Sequence, residues 1–234
     1  MIDFGGQVAL ITGAGRGLGA AYAKLLAGRR AKVMVHDAGV DPAGTGSDRT
    51  AADGIAFDII KVGGKAAATY ELLGSRESGH ALVERTIDMF GRIDILIHNA
   101  GLVVFEAIET IDEAHYQRML DVHVNAPFWL AQAAMPHMRT QGYGRIVLTT
   151  SGRALNLDGA VPQLSTYNIG KMAQIGLMNA LAAEGRDDGI RANAISPVAA
   201  TRMLRRSVEP GTFTPEQVAP ALPISLHATA TLMA

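Results

Sequence analysis

Short apolar runs alternate with longer stretches whose apolar residues recur at helical spacing. A run of four to eight apolar residues bounded by turn residues reads as a buried strand. Six such runs are present: Val8–Thr12, Lys32–His36, Lys65–Tyr70, Ile93–Gly101, Arg145–Thr150 and Arg191–Ser196. Between them the spacing predicts helices over about Gly17–Ala27, Ala51–Val62, Gly79–Phe90, Asp112–Gln141 and Ser165–Glu184. Pro127 and Pro136 are expected to bend or divide the longest of these, because proline lacks the N–H that a helix interior needs. A glycine-bearing polar loop occupies Asp37–Asp48, and a last helix is predicted within Pro215–Ala234.

Strands without polar alternation belong in a parallel sheet covered on both faces. The pattern therefore predicts an α/β fold: a Rossmann-like, doubly wound parallel sheet with helices on both faces. The 234 residues suit one domain, 1–234, and show no repeat or linker. Sites in such sheets lie outside the carboxyl ends of the strands.

Composition narrows the chemistry. No cysteine is present, which excludes disulfides, thiolate zinc sites and thiol nucleophiles. The seven histidines show no metal-binding spacing, so no metal is expected. A net charge of −1 without basic clusters gives no reason to expect nucleic acid. The N-terminal MIDFGGQVALITG lacks the pattern of a signal peptide, and no apolar stretch is long enough for a bilayer. A cytoplasmic protein without a membrane partner is the expectation.

The first strand runs into TGAGRGLG, Thr12–Gly19, which opens the first helix. Glycines at 13, 17 and 19 suit a tight turn that lets a pyrophosphate meet backbone N–H groups and the helix dipole. Position 18 is Leu, so the spacing departs from G-x-G-x-x-G. Asp37 ends the second strand, where a carboxylate accepts from ribose hydroxyls and repels a 2′-phosphate. Asp37 thus favours NAD; Arg16, a cation within the turn, argues for NADP. Farther on, Tyr167 and Lys171 share a helix face at i, i+4. A nearby ammonium lowers a phenol pKa, which makes tyrosine usable as an acid/base.

TGAGRGLG, Asn99-Ala100-Gly101, Ser151 after the fifth strand, and YNIGK together resemble the short-chain dehydrogenase/reductase family from about Val8 to Thr201. A finer pattern, with HDAG, TGSD and DVH, is similar to the dehydrogenase regions of peroxisomal multifunctional enzymes and their bacterial relatives. The resemblance implies a nicotinamide cofactor and alcohol–ketone interconversion. It implies catalytic roles for Ser151, Tyr167 and Lys171, with Thr150 as the competitor of Ser151. Lys171 also holds the nicotinamide ribose. His123 takes the place of the family's relay asparagine. Gly13, Arg16, Gly17, Leu18, Gly19, Asp37, Glu71, Leu72, Asn99, Ala100, Gly101, Pro197, Val198 and Thr201 are the expected cofactor contacts, besides Tyr167 and Lys171.

This sequence departs from the pattern in several places. Glu71 stands where relatives carry an aspartate against adenine, and SPVAATRM replaces the usual Pro-Gly after strand six. Ser151 lies sixteen residues before Tyr167, a longer interval than usual in the family. The seventh strand common in the family is expected to be missing. The pocket is expected from the loops 152–166 and 204–214, whose Leu155, Leu157, Val161, Met203 and Leu204 suggest an apolar ligand. The subgroup likeness implies a hydroxyacyl thioester substrate, and the family a homodimer or homotetramer. A nucleotide-binding module with little catalysis is the alternative.

Overall fold

The computed structural model describes residues 2–41, 44–155 and 161–197. Six parallel strands form one sheet: β1 (Val8–Thr12), β2 (Lys32–His36), β3 (Lys65–Thr69), β4 (Ile95–His98), β5 (Gly144–Thr149) and β6 (Ile190–Ile195). Their order is β3-β2-β1-β4-β5-β6. The chain winds outward from β1 to β3, then returns to start again at β4. That reversal leaves a crevice above the carboxyl ends of β1 and β4, which pair from Ala9 with Ile95 to Thr12 with His98.

Side chains alternate across the sheet, so each strand feeds two cores. Ala9, Ile11, Val33, Val35, Ile95 and Ile97 pack on one face against Tyr22, Ala23 and Leu26 of α1 (Gly17–Gly28) and Ala52, Ala56 and Ile59 of α2 (Thr50–Lys61). Leu10, Met34, Leu96, Ile146 and Leu148 pack on the other. There they meet α3 (Arg76–Phe90) through Leu82 and Val83, and α5 (Ala126–Gln141) through Leu130, Ala134 and Met138; Leu181 of α6 (Ser165–Glu184) completes that face. This two-sided cover is why β1 and β4 read as unbroken apolar runs. Truncating a fully buried side chain such as Leu96 to alanine costs about 2–5 kcal/mol.

The long predicted helix divides, but not at a proline. Helix α4 (Glu113–Leu120) starts with the Asp112 side chain accepting from His115 N–H at 2.7 Å. One turn of π-helix, Asp121–Asn125, then joins it to α5. Pro127 follows the π turn, and the Val122 and His123 carbonyls before it are met by His98 Nε2 and Gln174 Nε2 at 3.0 and 3.1 Å. Pro136 lies inside α5, which continues to Gln141. Helix α3 begins earlier than predicted, at Arg76, because Ser75 caps it through Ser78 N–H. The predicted last helix and the position of any seventh strand lie outside the described residues.

Candidate active site

The glycine turn is shaped by close approach. Gly13 has φ +64°, and a Cβ there would lie 2.8 Å from Ala100 Cα. A Cβ on Gly19 would lie 2.2 Å from the Gly13 carbonyl. Only glycine fits either position without moving backbone. Asn99 fixes the turn from below: its Nδ2 donates to the Thr12 and Gly13 carbonyls at 3.3 and 3.1 Å. The Thr12 hydroxyl accepts from Asn99 and Ala100 N–H and lies 3.0 Å from His98 Nδ1. Helix α1 opens here with no side-chain cap and no acid in its first turn. An uncapped helix start beside glycines suits a pyrophosphate, so the residues fit the dinucleotide.

Asp37 lies at the carboxyl end of β2. Its carboxylate accepts from Gly15 N–H and Gly39 N–H, both at 2.8 Å. Arg16 pairs with Asp48 at 2.5 Å, across the mouth of the same niche. Glu71 pairs with Arg85 of α3 at 2.9 Å and accepts from Tyr70 N–H. Leu72, by contrast, is 72% exposed. Pro197 is half-buried after β6; Val198 and Thr201 lie outside the described residues, as do 156–160 and 204–214 of the expected pocket.

Ser151, Tyr167, Lys171 and His123 come together beside β4 and β5. The Ser151 hydroxyl lies beside the Tyr167 phenol and acts to lower its pKa. Thr150 is occupied elsewhere, its hydroxyl donating to the Lys171 carbonyl at 2.8 Å. The Lys171 ammonium donates to the Thr149 carbonyl at 2.7 Å and lies 5.7 Å from the Tyr167 ring centre. His123 sits in the π turn, edge-on to Tyr167 with ring centres 5.6 Å apart. Its Nε2 lies 2.9 Å from the Leu102 carbonyl, and its buried Nδ1 has no partner among the described residues. A π turn inserts an extra residue and re-aims side chains, which is why such turns recur at sites.

Burial governs the titration of Tyr167, Lys171 and His123. It raises the Tyr167 phenol, against the Ser151 hydroxyl and the Arg153 charge, which lower it. It brings Lys171 down to about 7. It also holds His123 well below its ordinary value, helped by the Lys171 charge. In the ligand-free site desolvation acts on both groups, and the lysine is itself driven toward its neutral form.

Sequence reasoning overlooked three contributors. Thr12 ties the two strand ends together; a polar residue closing an apolar strand was its signal. Asp48 pairs with Arg16 and accepts from Thr50 N–H, and its place just before a helix was a cap signal. Glu106 after β4 is linked to His115 of α4, and its N–H donates to the carbonyl of Gln163, which has φ 65°. No sequence signal marks that contact.

A parallel switch-point sheet, a glycine cradle and a Ser-Tyr-Lys cluster define a dinucleotide-dependent oxidoreductase. Residues 7–210 match the family model described as short chain dehydrogenase, and the chain belongs to the short-chain dehydrogenase/reductase family. It is 40% identical over 94% of its length to peroxisomal multifunctional enzyme type 2 of Mus musculus, of which it spans 28%. Among solved structures, a 7α-hydroxysteroid dehydrogenase complexed with NADH and 7-oxo glycochenodeoxycholic acid aligns with TM-score 0.79 and 29% identity, covering 89% of this chain and 77% of that one. A metagenomic short-chain oxidoreductase in complex with NADP aligns with TM-score 0.74 and 28% identity, covering 83% of each chain. Among the described residues no helix is long and apolar enough to cross a membrane, and no group of three or more His, Asp or Glu is placed to hold a metal ion.

Proposed function

We propose that this chain is an NAD-dependent dehydrogenase/reductase that interconverts a secondary alcohol and a ketone, with Tyr167 as acid/base. The observation that carries the reading is the convergence of the Ser151 hydroxyl and the Lys171 ammonium on Tyr167, beside a glycine cradle. The dinucleotide, when bound, accepts or supplies the hydride. Ser151 holds the substrate oxygen and polarises it. Tyr167 takes the hydroxyl proton in oxidation and returns it in reduction. Lys171, fixed by the Thr149 carbonyl, stabilises the phenolate and orients the nicotinamide ribose. The unpartnered Nδ1 of His123 accepts from a water linked to Lys171. A Cβ on Gly101 would come within 3.4 Å of Lys171 Nζ and 3.7 Å of that Nδ1, and its absence leaves room between them.

The NAD preference rests on Asp37, whose carboxylate faces the place of the ribose hydroxyls and meets a 2′-phosphate with like charge. The likeness to multifunctional enzymes supports a hydroxyacyl thioester as substrate, with an apolar acyl chain. A cytoplasmic setting belongs to this proposal as well; the mouse relative is named as peroxisomal.

The test is Tyr167→Phe. Turnover of a hydroxyacyl or ketone substrate should fall by about 10²–10⁴-fold, the usual worth of a general acid/base. NADH binding should stay within about twofold, because the ring and its packing remain. Undiminished turnover would remove Tyr167 from the mechanism. Wild-type binding of NADH without any turnover would favour a nucleotide-binding module.

A further inference from the structure

Resting on the NAD reading above, we propose that Asp48 is a selectivity residue: it neutralises Arg16 at the rim of the adenosine ribose niche and so denies a 2′-phosphate its cation. The niche is built from Asp37 and the Gly15 N–H that it accepts. Arg16 is the next residue along the turn, and its guanidinium pairs with Asp48 at 2.5 Å.

Asp48 is held in place independently of that pair. Its N–H donates to the Gly39 carbonyl at 2.9 Å, while Gly39 N–H donates to Asp37. The two segments are packed so closely that a Cβ on Gly39 would lie 2.2 Å from Asp48 N. The Asp48 carboxylate also accepts from the N–H and hydroxyl of Thr50, at 3.1 and 2.5 Å, and so caps the start of α2. The carboxylate thus stays at the rim whether or not Arg16 does. Arg49 is the second cation there, 5.1 Å from the ring centre of Tyr70, whose hydroxyl binds Asp53. Without the Asp48 charge, the rim would present the Arg16 guanidinium unneutralised. That is the chemistry of a phosphate site. Asp37 alone would then oppose it.

Asp48→Asn tests this, because asparagine keeps the cap and the acceptor while removing the charge. Asp48→Ser keeps a capping oxygen by different geometry and serves as the second variant. Dissociation constants for NADH and NADPH are measured by fluorescence titration of the full chain at low salt. Both variants should bind NADPH about fivefold or more tightly relative to NADH than the wild type does. Adding Arg16→Gln to Asp48→Asn should erase that gain. An unchanged ratio in both variants, or a gain that survives Arg16→Gln, overturns the proposal. The wild type alone reports on the underlying reading. If it prefers NADPH, or binds neither nucleotide, the NAD assignment fails and the selectivity role falls with it.

Discussion

Buried histidines bear much of the polar work in this crevice. His36, His98 and His123 lie within the sheet or against its carboxyl ends, all at 2% exposure or less. Burial lowers each, His98 to about 3 and His123 far below its ordinary value. Each stays neutral in the folded protein at a pH where the unfolded chain binds a proton. Stability therefore falls as pH drops below about 6.5, the ordinary histidine value. With its folded value at about 3, His98 removes roughly 2 kcal/mol between pH 7 and pH 5, and His36 and His123 act in the same direction. Denaturant unfolding at those two values checks this, and equal stabilities would contradict it. The residues proposed to do chemistry were legible because their spacing is itself chemical. Tyr167 and Lys171 announce themselves at i, i+4, and Asp37 by ending a strand. Contacts such as Glu106 with His115, or Arg16 with Asp48, join residues that only the fold makes neighbours.

Periodicity located all six strands of the described residues; the central ones are buried on both faces, while β6 alternates buried and exposed positions. Strand ends were less legible: β4 stops at His98 because the next residues turn to brace the glycine loop. The break between α4 and α5 was misplaced for a definite reason. Proline marks a missing donor, whereas a π turn needs no proline and shows no period of its own. That turn sets local order against function. Deleting one residue within Asp121–Asn125 would regularise the helix and swing His123 about 100° off its present direction. The glycine turn allows a simpler test. Gly19→Ala drives a Cβ into the Gly13 carbonyl, so NADH affinity should drop by an order of magnitude or more, and thermal stability with it. Unimpaired NADH binding in a titration of that variant would mean the turn yields more than its contacts suggest.

Assembly concerns the exterior of the protein. Tyr116 of α4, Phe128 of α5, and Ile169 and Met172 of α6 are each 42–48% exposed on helices that flank the π turn. Large apolar side chains gathered there suit a self-complementary interface, which supports the homo-oligomer expected from the family resemblance. Light scattering should give two or four times the 24.6 kDa of the chain, and Phe128→Glu should shift the mass toward the monomer. A monomeric wild type would refute the assignment.

The Thr12 knot has a mechanical consequence. One hydroxyl accepts the N–H groups of Asn99 and Ala100 and touches His98, while Asn99 returns two bonds to the glycine turn. The half of the sheet proposed to receive adenosine and the half that carries the proposed acid/base cluster are thereby riveted at their seam. A hinge at that seam would have to break every one of these bonds at once. Ligands are therefore met by a stiff floor, and the accommodation of large and small substrates falls to the loops above it.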